Sequence, residues 1–348
     1  MTSPDPASAP DASTPDRASA PDASAPDASA PSHASSGPEP EIHVDHDDHD
    51  NAYSGLLVND AHWAFGTDFE DPLAGVETTV PEGVDADELA AYCLMLGDDA
   101  LVFSQRISEW CSNAPDLEED IALANIALDL LGQARLLLAR AAAADPGLVP
   151  QLPEDSPVPD EDRLAFFRED LDFRNVRLAE VPNGDFAEAV AKILIFSTWR
   201  LAIFEKLQAS KDSVLSAIAV KGVKEMSYHR DFAARWVLTL AQGTEESRRR
   251  VIAALNGLWP LWAELFETHP VESAVAAAGI GVNPAEIEGE VDVIIEQVFA
   301  AGGLDRPERG ALAGVRGKKG RDGLHTEALS RMLAEMQVVA RAHPRGQW

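Results

Sequence analysis

The amino-acid sequence predicts an all-α fold, a ferritin-like four-helix bundle with one long crossover plus additional C-terminal helices. From residue 85 onward, apolar residues recur at the spacing of amphipathic helices, and no window shows the alternation and regular turns of a sheet. The order of the helices decides the architecture. Two long helices share a tight link, a connection of about 40 residues follows, and two more long helices come next.

Capping residues and stop signals place the ends of the predicted helices. Asp185 stands as an N-cap before the third long helix, and Thr244 before the fifth, which we expect to be kinked at Pro260. An Asp-Pro-Gly sequence at 145–147 ends the second long helix. The predicted helices with definite bounds are about 86–110, 115–144, 161–170, 186–208, 213–241, 284–300 and 326–342.

Three regions differ in composition along the chain. Residues 1–50 are acidic, rich in Pro, Ala, Ser and Asp, and have almost nothing apolar to bury, so we expect a disordered tail. The tail also holds histidines among aspartates, in EIHVDHDDHD, which either chelate a divalent ion weakly or simply titrate in solvent. Residues 51–84 mix aromatic and apolar residues with Gly and Pro, which indicates a loop-rich arm packing on the domain. Residues 85–348 are the predicted ferritin-like helical domain.

Composition excludes several classes of function. The chain has 59 acidic and 28 basic residues, a net charge of −31, which disfavours nucleic acid and anionic membrane surfaces as partners. No uncharged apolar run approaches the ~20 residues of a membrane span, and no signal peptide is recognisable. Cys93 and Cys111 fit no zinc motif and do not suggest a disulfide framework. We therefore expect a cytoplasmic protein that binds neither nucleic acid nor membrane.

A di-iron centre in a ferritin-like bundle needs a specific set of ligands. Two helices each supply a Glu, and the other two each supply a Glu-x-x-His pair whose side chains converge on one inward face. Between residues 85 and 268 the only histidine is His229, and Met226 rather than a carboxylate stands three positions before it. The set is short of at least one His and of one or two carboxylates. We therefore expect no metal, no cofactor and no catalytic residue on this chain.

Charged residues nevertheless stand in the middle of the predicted bundle helices. A buried carboxylate without a cation is costly, so these groups should pair, with Lys192 and Arg200 opposite Asp129 or Glu225. In this interpretation ion pairs fill the space of a lost metal centre. In the alternative, several of the side chains face solvent. The residues of this degenerate site are Asp98, Asp129, Lys192, Arg200, Glu225 and His229.

A glycine-rich basic stretch, RGKKGRDG at 316–323, is a candidate for binding the phosphates of coenzyme A. Its cations are Lys318, Lys319 and Arg321. The stretch is not a P-loop, because no strand precedes it and the Gly-Lys-Ser/Thr ending is missing. The alternative interpretation is a mobile surface loop that matters little to folding.

Several segments resemble a known protein family, the C subunits of the ring-1,2-phenylacetyl-CoA epoxidase. The similar segments include ELAAYCLMLGDDALVFSQRISEWC, LEEDIALANIALDLLGQARLLLARA and FRNVRLAEVPNGDFAEAVAKILIFSTW. They also include VKEMSYHRDFAARWVLTLAQGTEESRRR and the ending HTEALSRMLAEMQVVARAHPRGQW. The resemblance covers about residues 52–348, and its most specific parts are PNGDFA and the HTE…AEMQ ending.

The resemblance implies a non-catalytic structural subunit of a multicomponent monooxygenase that serves aerobic phenylacetate catabolism. In that family a related ferritin-like A subunit holds the di-iron site and binds phenylacetyl-CoA, and the C subunit stabilises it without iron ligands of its own. A small B subunit and a reductase with FAD and an iron–sulfur cluster complete the system, which uses NADPH and O₂. Ser197 departs from an acidic residue expected in some members, which leaves the core ion pairs of this chain open.

Two other classes of function remain open from the residues. One is a self-sufficient metalloenzyme with an atypical site at Asp129, Glu225 and His229. The other is a free-standing acyl-CoA binding module that uses the stretch 316–323. Metal content would distinguish the first from a scaffold, and thioester binding across a salt series would test the second.

Overall fold

The computed structural model describes residue 73 and residues 75–346 of the chain. This part contains ten α-helices and no strand, which confirms the predicted all-α class. The helices are α1 (Ala86–Ser108), α2 (Leu117–Ala144), α3 (Asp160–Phe166), α4 (Arg177–Glu180), α5 (Phe186–Leu207), α6 (Ser213–Gln242), α7 (Glu245–Leu258), α8 (Pro270–Ala278), α9 (Glu288–Gly302) and α10 (Glu327–Ala342).

The four long helices α1, α2, α5 and α6 form the ferritin-like bundle. α1 packs along α2, α5 packs along α6, and contacts between α2 and α6 join the two pairs. The long crossover between α2 and α5 carries the short helices α3 and α4. The C-terminal helices cover the flanks: α7 and α9 pack on α5 and α6, α8 packs on α1, and α10 packs on α3. This is the predicted bundle with one crossover.

Local capping determines where the bundle helices begin. Asp185 caps α5 and Thr244 caps α7 as predicted, because their side-chain oxygens accept backbone N–H groups of the first turn. α2 begins at Leu117 rather than near Pro115, because the carboxylate of Asp116 accepts the N–H groups of the two residues that follow Leu117. The sequence therefore predicted these starts to within about two residues.

The predicted kink at Pro260 is wrong. α7 ends at Leu258, and two 3₁₀ turns, Trp259–Leu261 and Ala263–Phe266, follow it, because proline lacks the N–H group that would continue the helix. The rings of Trp259 and Trp262 are buried and stack at a centroid distance of 4.8 Å. The helices α4 and α8 are absent from the sequence prediction, since each is shorter than the window in which helical periodicity can be recognised.

Only the end of the predicted arm lies within the described residues. Leu73 is buried, and Val76 and Val80 pack partly buried against the bundle core. The arm therefore meets the helical domain at this end. The predicted disordered tail, residues 1–50, and the rest of the arm, residues 51–72 and residue 74, lie outside the described residues and stay predictions.

Within the described part of the chain, α2 is the one helix long and apolar enough to cross a membrane by length and composition. The core helix of a bundle passes the same test, and Asp129 and Gln133 in the middle of α2 contact side chains of α6. Only 50% of its most apolar stretch is buried inside the protein. α2 is thus a bundle helix that is apolar on its outer face as well as its inner one.

Candidate functional site

Arg200 lies at the centre of the bundle and contacts two neighbouring helices. Its side chain extends from α5 and is fully buried. The Nε atom donates to Oε1 of Gln133 on α2 at 2.9 Å, and Nη1 donates to the carbonyl oxygen of Leu96 on α1 at 3.2 Å. Burial lowers the pKa of Arg200 to about 10, so the guanidinium remains charged at neutral pH. A permanent positive charge therefore occupies the bundle centre.

Gln133 connects Arg200 to a carboxylate on the fourth bundle helix. Its amide Nε2 donates to Oε2 of Glu225 on α6 at 2.7 Å while its Oε1 accepts from Arg200. Burial raises the pKa of Glu225, and the hydrogen bond from Gln133 and the charge of Lys221 act against that rise. We call Arg200, Gln133, Glu225 and the Leu96 carbonyl the Arg200 network. It joins all four helices of the bundle.

Asp129 and His229 form a separate pair beside the Arg200 network. His229 Nε2 lies 3.0 Å from Oδ2 of Asp129, so the pair links α2 to α6. The His229 side chain is buried, whereas that of Asp129 is 42% exposed. The pair therefore stands at the rim of the bundle, facing a groove between α2 and α6.

Lys192 does not pair with Asp129 or Glu225, contrary to the sequence prediction. Its Nζ donates to the Val181 carbonyl oxygen at 2.7 Å and to Asn183 Oδ1 at 2.8 Å. Both acceptors belong to the crossover segment before α5, which folds back over this buried side chain. Burial lowers the pKa of Lys192 to about 7, with the nearby charge of Arg106 as a further cause. Lys192 anchors the crossover to the bundle.

Asp98 also lies outside the Arg200 network, although the sequence grouped it there. Its carboxylate accepts from both terminal nitrogens of Arg168 and, at 2.9 Å, from the backbone N–H of Arg174. Both residues belong to the crossover. Asp98 is fully buried, and Arg168 is buried with it. A buried carboxylate needs such a partner, because an unpaired charge in the protein interior is costly. The pair fastens the crossover to α1.

Asp99 binds the glycine-rich stretch that the sequence offered for coenzyme A. Arg321 Nη1 and Nη2 donate to the two carboxylate oxygens of Asp99 at 3.0 and 2.9 Å. Arg321 is buried, and the same guanidinium donates to the carbonyl oxygens of Met95 and Arg174. The prediction that Arg321 meets phosphates, and the alternative of a loop that matters little to folding, both disagree with these contacts.

The two lysines of the stretch have different surroundings. Lys319 forms an ion pair with Glu267. Lys318 is exposed, and its backbone pairs with Val315 in a single β-bridge. Lys319 and Arg321 both line a cavity of about 200 Å³, but the carboxylates of Glu264, Glu267 and Asp322 line it too and oppose a bound phosphate.

The residues at the bundle centre do not fit a di-iron centre. The donor set comprises Glu225, Asp129 and His229, and two further positions hold an amide and a guanidinium. Arg200 brings positive charge to the place where a ferritin-like bundle coordinates cations, and Glu225 is held by Gln133. In the described part of the chain, only one group of three acidic, His or Cys side chains has ligand atoms within 4.8 Å of one another. It is Asp116, Glu118 and Glu119 at the largely exposed start of α2.

Gln133 is the functional residue that sequence reasoning missed. Gln133 is a buried polar residue of α2, four positions and thus about one helical turn after Asp129, and this spacing was the signal in the sequence. An uncharged amide forms no ion pair, so charge pairing does not predict its role. Gln133 nonetheless makes the connection on which the network depends, since Arg200 and Glu225 both bind it.

Fold and site together define a class of protein: a ferritin-like helical bundle whose centre is filled by a hydrogen-bonded arginine instead of a complete set of metal ligands. The chain belongs to the family described as phenylacetic acid catabolic protein, whose model matches residues 76–348. One relative is the C subunit of the 1,2-phenylacetyl-CoA epoxidase of Escherichia coli (strain K12). It is 42% identical over 262 residues, which are 75% of this chain and 100% of the relative. The resemblance found in the sequence is confirmed.

Proposed function

We propose that this chain is the non-catalytic structural subunit of a phenylacetyl-CoA 1,2-epoxidase, the monooxygenase of aerobic phenylacetate catabolism. The observation that carries the proposal is the Arg200 network, which fills the bundle centre with groups that bind one another. Membership of the family and the 42% identity to the C subunit of such an epoxidase support the reaction and the role. The chain then contributes to activity by stabilising the subunit that carries out the chemistry.

The proposal assigns the cofactors to the other subunits. A related ferritin-like A subunit would hold the di-iron site and phenylacetyl-CoA, and a small B subunit would complete the oxygenase. A reductase would carry FAD and an iron–sulfur cluster and deliver electrons from NADPH. All of these would work in the cytoplasm, with no nucleic acid or membrane involved.

Two alternatives find no support in the geometry. A metal on Asp129, Glu225 and His229 would require the three side chains to converge, but His229 binds Asp129 while Gln133 binds Glu225. An acyl-CoA binding module would require several free cations in the stretch 316–323. Of the three candidates, Arg321 is buried against Asp99 and Lys319 pairs with Glu267, which leaves Lys318. A scaffold role is compatible with all of these contacts as they stand.

Reconstitution tests the proposed function. We expect this chain with the reductase, NADPH and phenylacetyl-CoA to show no oxygenase activity. Adding the di-iron subunit should give a stable hetero-oligomer on size exclusion, with activity that depends on both chains and a higher melting temperature for the catalytic subunit. Activity from this chain and the reductase alone would overturn the assignment, as would separate elution beside a fully active partner.

A further inference from the structure

The outer face of α2 carries an apolar stripe that is exposed in the described part of the structure. Leu117 is 68% exposed, Ile121 54% and Leu128 63%. Spacings of four and seven residues place the three side chains on one side of the helix. The opposite side of α2 packs in the bundle core, so this helix is apolar on both sides. A helix apolar all round is normally buried all round.

A groove runs beside this stripe, between α2 and α6. Its volume is about 510 Å³, and its apolar lining includes Ile126, Phe232 and Trp236. Tyr228 stands on its α6 side with 78% of its surface exposed. The stripe and the groove form one surface, which we call the α2–α6 face. Exposed apolar side chains rimmed by polar ones are typical of an interaction site.

The N-terminal arm enters the described structure at one end of this face. Ser213 Oγ, at the start of α6, donates to the carbonyl oxygen of Glu77 at 2.9 Å. Arg140, near the end of α2, donates to the carbonyl oxygen of Thr78. The arm therefore crosses the seam between α2 and α6, and the groove lies further along the same seam. Leu73, the first described residue, stands four positions before Glu77.

Residues 51–72 have the length and composition to cover the α2–α6 face. Their 22 residues reach up to ~70 Å when extended, whereas the 28 residues of α2 span ~42 Å. The segment contains four carboxylates and no Lys or Arg. Charge does not select it for this face, because the groove lining holds Glu119, Asp129 and Asp231 beside Arg235. Its large apolar residues are Tyr53, Leu56, Leu57, Val58, Trp63, Phe65 and Phe69.

We propose that residues 51–72 bind back onto the α2–α6 face of the same chain, with their aromatic side chains in the groove and along the stripe. The proposal rests on the exposed apolar face, on the place where the arm enters, and on the apolar content of the segment. It does not depend on the proposed function, because it concerns contacts within one chain.

Hydrogen exchange of the full chain, followed by mass spectrometry, tests the proposal. We expect amides within residues 51–72 to exchange at least about tenfold more slowly than the same sequence as a free peptide. Leu128→Asp places a charge in the middle of the face and should abolish that protection. Val293→Asp is the matched control, since Val293 is a 55% exposed helical valine on α9 and does not line the groove. It should leave the protection of the arm unchanged.

Labelling of the face gives the reciprocal measurement. In a chain with Cys111→Ser, a Leu128→Cys thiol should react slowly with a maleimide. Replacing Trp63, Phe65 and Phe69 with Ser should speed that reaction by about tenfold or more, since the docked arm limits access to the thiol. A thiol at Val293→Cys should react equally fast with and without the three substitutions.

Three outcomes would overturn the proposal. Residues 51–72 could exchange as fast as the free peptide, or keep their protection in Leu128→Asp, which would place the arm elsewhere. The arm could also gain protection only after other epoxidase subunits are added, which would mean that the arm contacts a partner chain and not the α2–α6 face of its own chain. None of these results depends on whether the reconstituted complex is active, so the two proposals fail separately.

Discussion

Arg200 Nε donates a 2.9 Å hydrogen bond to Gln133 Oε1, and both side chains are buried at the bundle centre. Arg200→Met keeps much of the volume but removes the charge and the donors, so Gln133 Oε1 and the Leu96 carbonyl lose their partner. We expect the free energy of unfolding to fall by about 2–4 kcal/mol. Urea unfolding of the natural chain and of Arg200→Met at neutral pH measures this difference in the free energy of unfolding.

Arg331→Met is the matched control for Arg200→Met. Arg331 forms an exposed pair with Glu327 on α10, and such surface pairs contribute little to stability. Its substitution should leave the unfolding midpoint within experimental error. If Arg200→Met proves as stable as the control, the Arg200 network does not hold the bundle together.

Arg321 should be required for folding rather than for binding coenzyme A. Arg321→Met leaves the Asp99 carboxylate buried without its cation, which should cost about 3–5 kcal/mol in the free energy of unfolding. Lys318→Ala removes an exposed cation of the same stretch and should change nothing measurable. Denaturant unfolding of the two variants measures the difference. Equal stability, combined with weaker and less salt-sensitive thioester binding in Arg321→Met, would restore the coenzyme A hypothesis.

His325 should make the stability of the chain depend on pH. Its Nδ1 lies 2.7 Å from Glu180 Oε2, and its Nε2 lies 2.9 Å from the Phe173 carbonyl oxygen. A neutral imidazole can donate from only one nitrogen, so both contacts are satisfied only by the protonated ring. Burial acts to lower the pKa of His325, but the hydrogen bond and charge of Glu180 outweigh it and raise the pKa above 6.5.

The sign of the pH effect follows from that raised pKa. A folded-state pKa above the unfolded value contributes stability that is complete below pH 6.5 and is lost as the pH rises through the folded pKa. The natural chain should therefore be more stable than His325→Gln at about pH 5.5, with a smaller difference at about pH 8.5. Urea unfolding of both chains at each pH measures the difference. A difference that is constant or grows with pH would contradict the protonated His325.

Gly222 allows α5 and α6 to approach closely. A Cβ atom at this position would lie 2.2 Å from Cε2 of the buried Phe204, which cannot move away without disturbing the core. We expect Gly222→Ala to lower the free energy of unfolding by about 1–3 kcal/mol. A Cβ on Gly257 in α7 would meet no atom within 4 Å, so Gly257→Ala should gain up to about 1 kcal/mol. Thermal unfolding that moves both variants in the same direction would contradict this interpretation of the packing.

The sequence predicted the long helices well because their signals are local. Asp185 and Thr244 cap the helices they precede, and apolar periodicity extends over several turns of each. The two 3₁₀ turns that follow Leu258 could not be predicted from such local signals. Whether a helix kinks at Pro260 or ends in 3₁₀ turns depends on where Trp259 and Trp262 find room, and the residues that pack against them lie far along the chain, such as Phe299.

The sequence named the charged residues of the site but not their partners. Lys192 and Asp98 both bind groups of the crossover, and the path of a long loop cannot be derived from periodicity. Arg321 lies 222 positions from Asp99, so their pairing needed the folded chain. Glu225 accepts a hydrogen bond from Gln133, and an uncharged partner cannot be predicted from charge pairing.

The iron content of the purified chain tests the central claim most directly. The protein should lack residues 1–50, because the histidines of that segment could bind metal on their own, and it should be expressed aerobically with iron supplied. Elemental analysis should find well under one iron per chain, since Arg200 and Gln133 occupy the centre that iron ligands would need. About two irons per chain, the content of a di-iron bundle, would contradict the account.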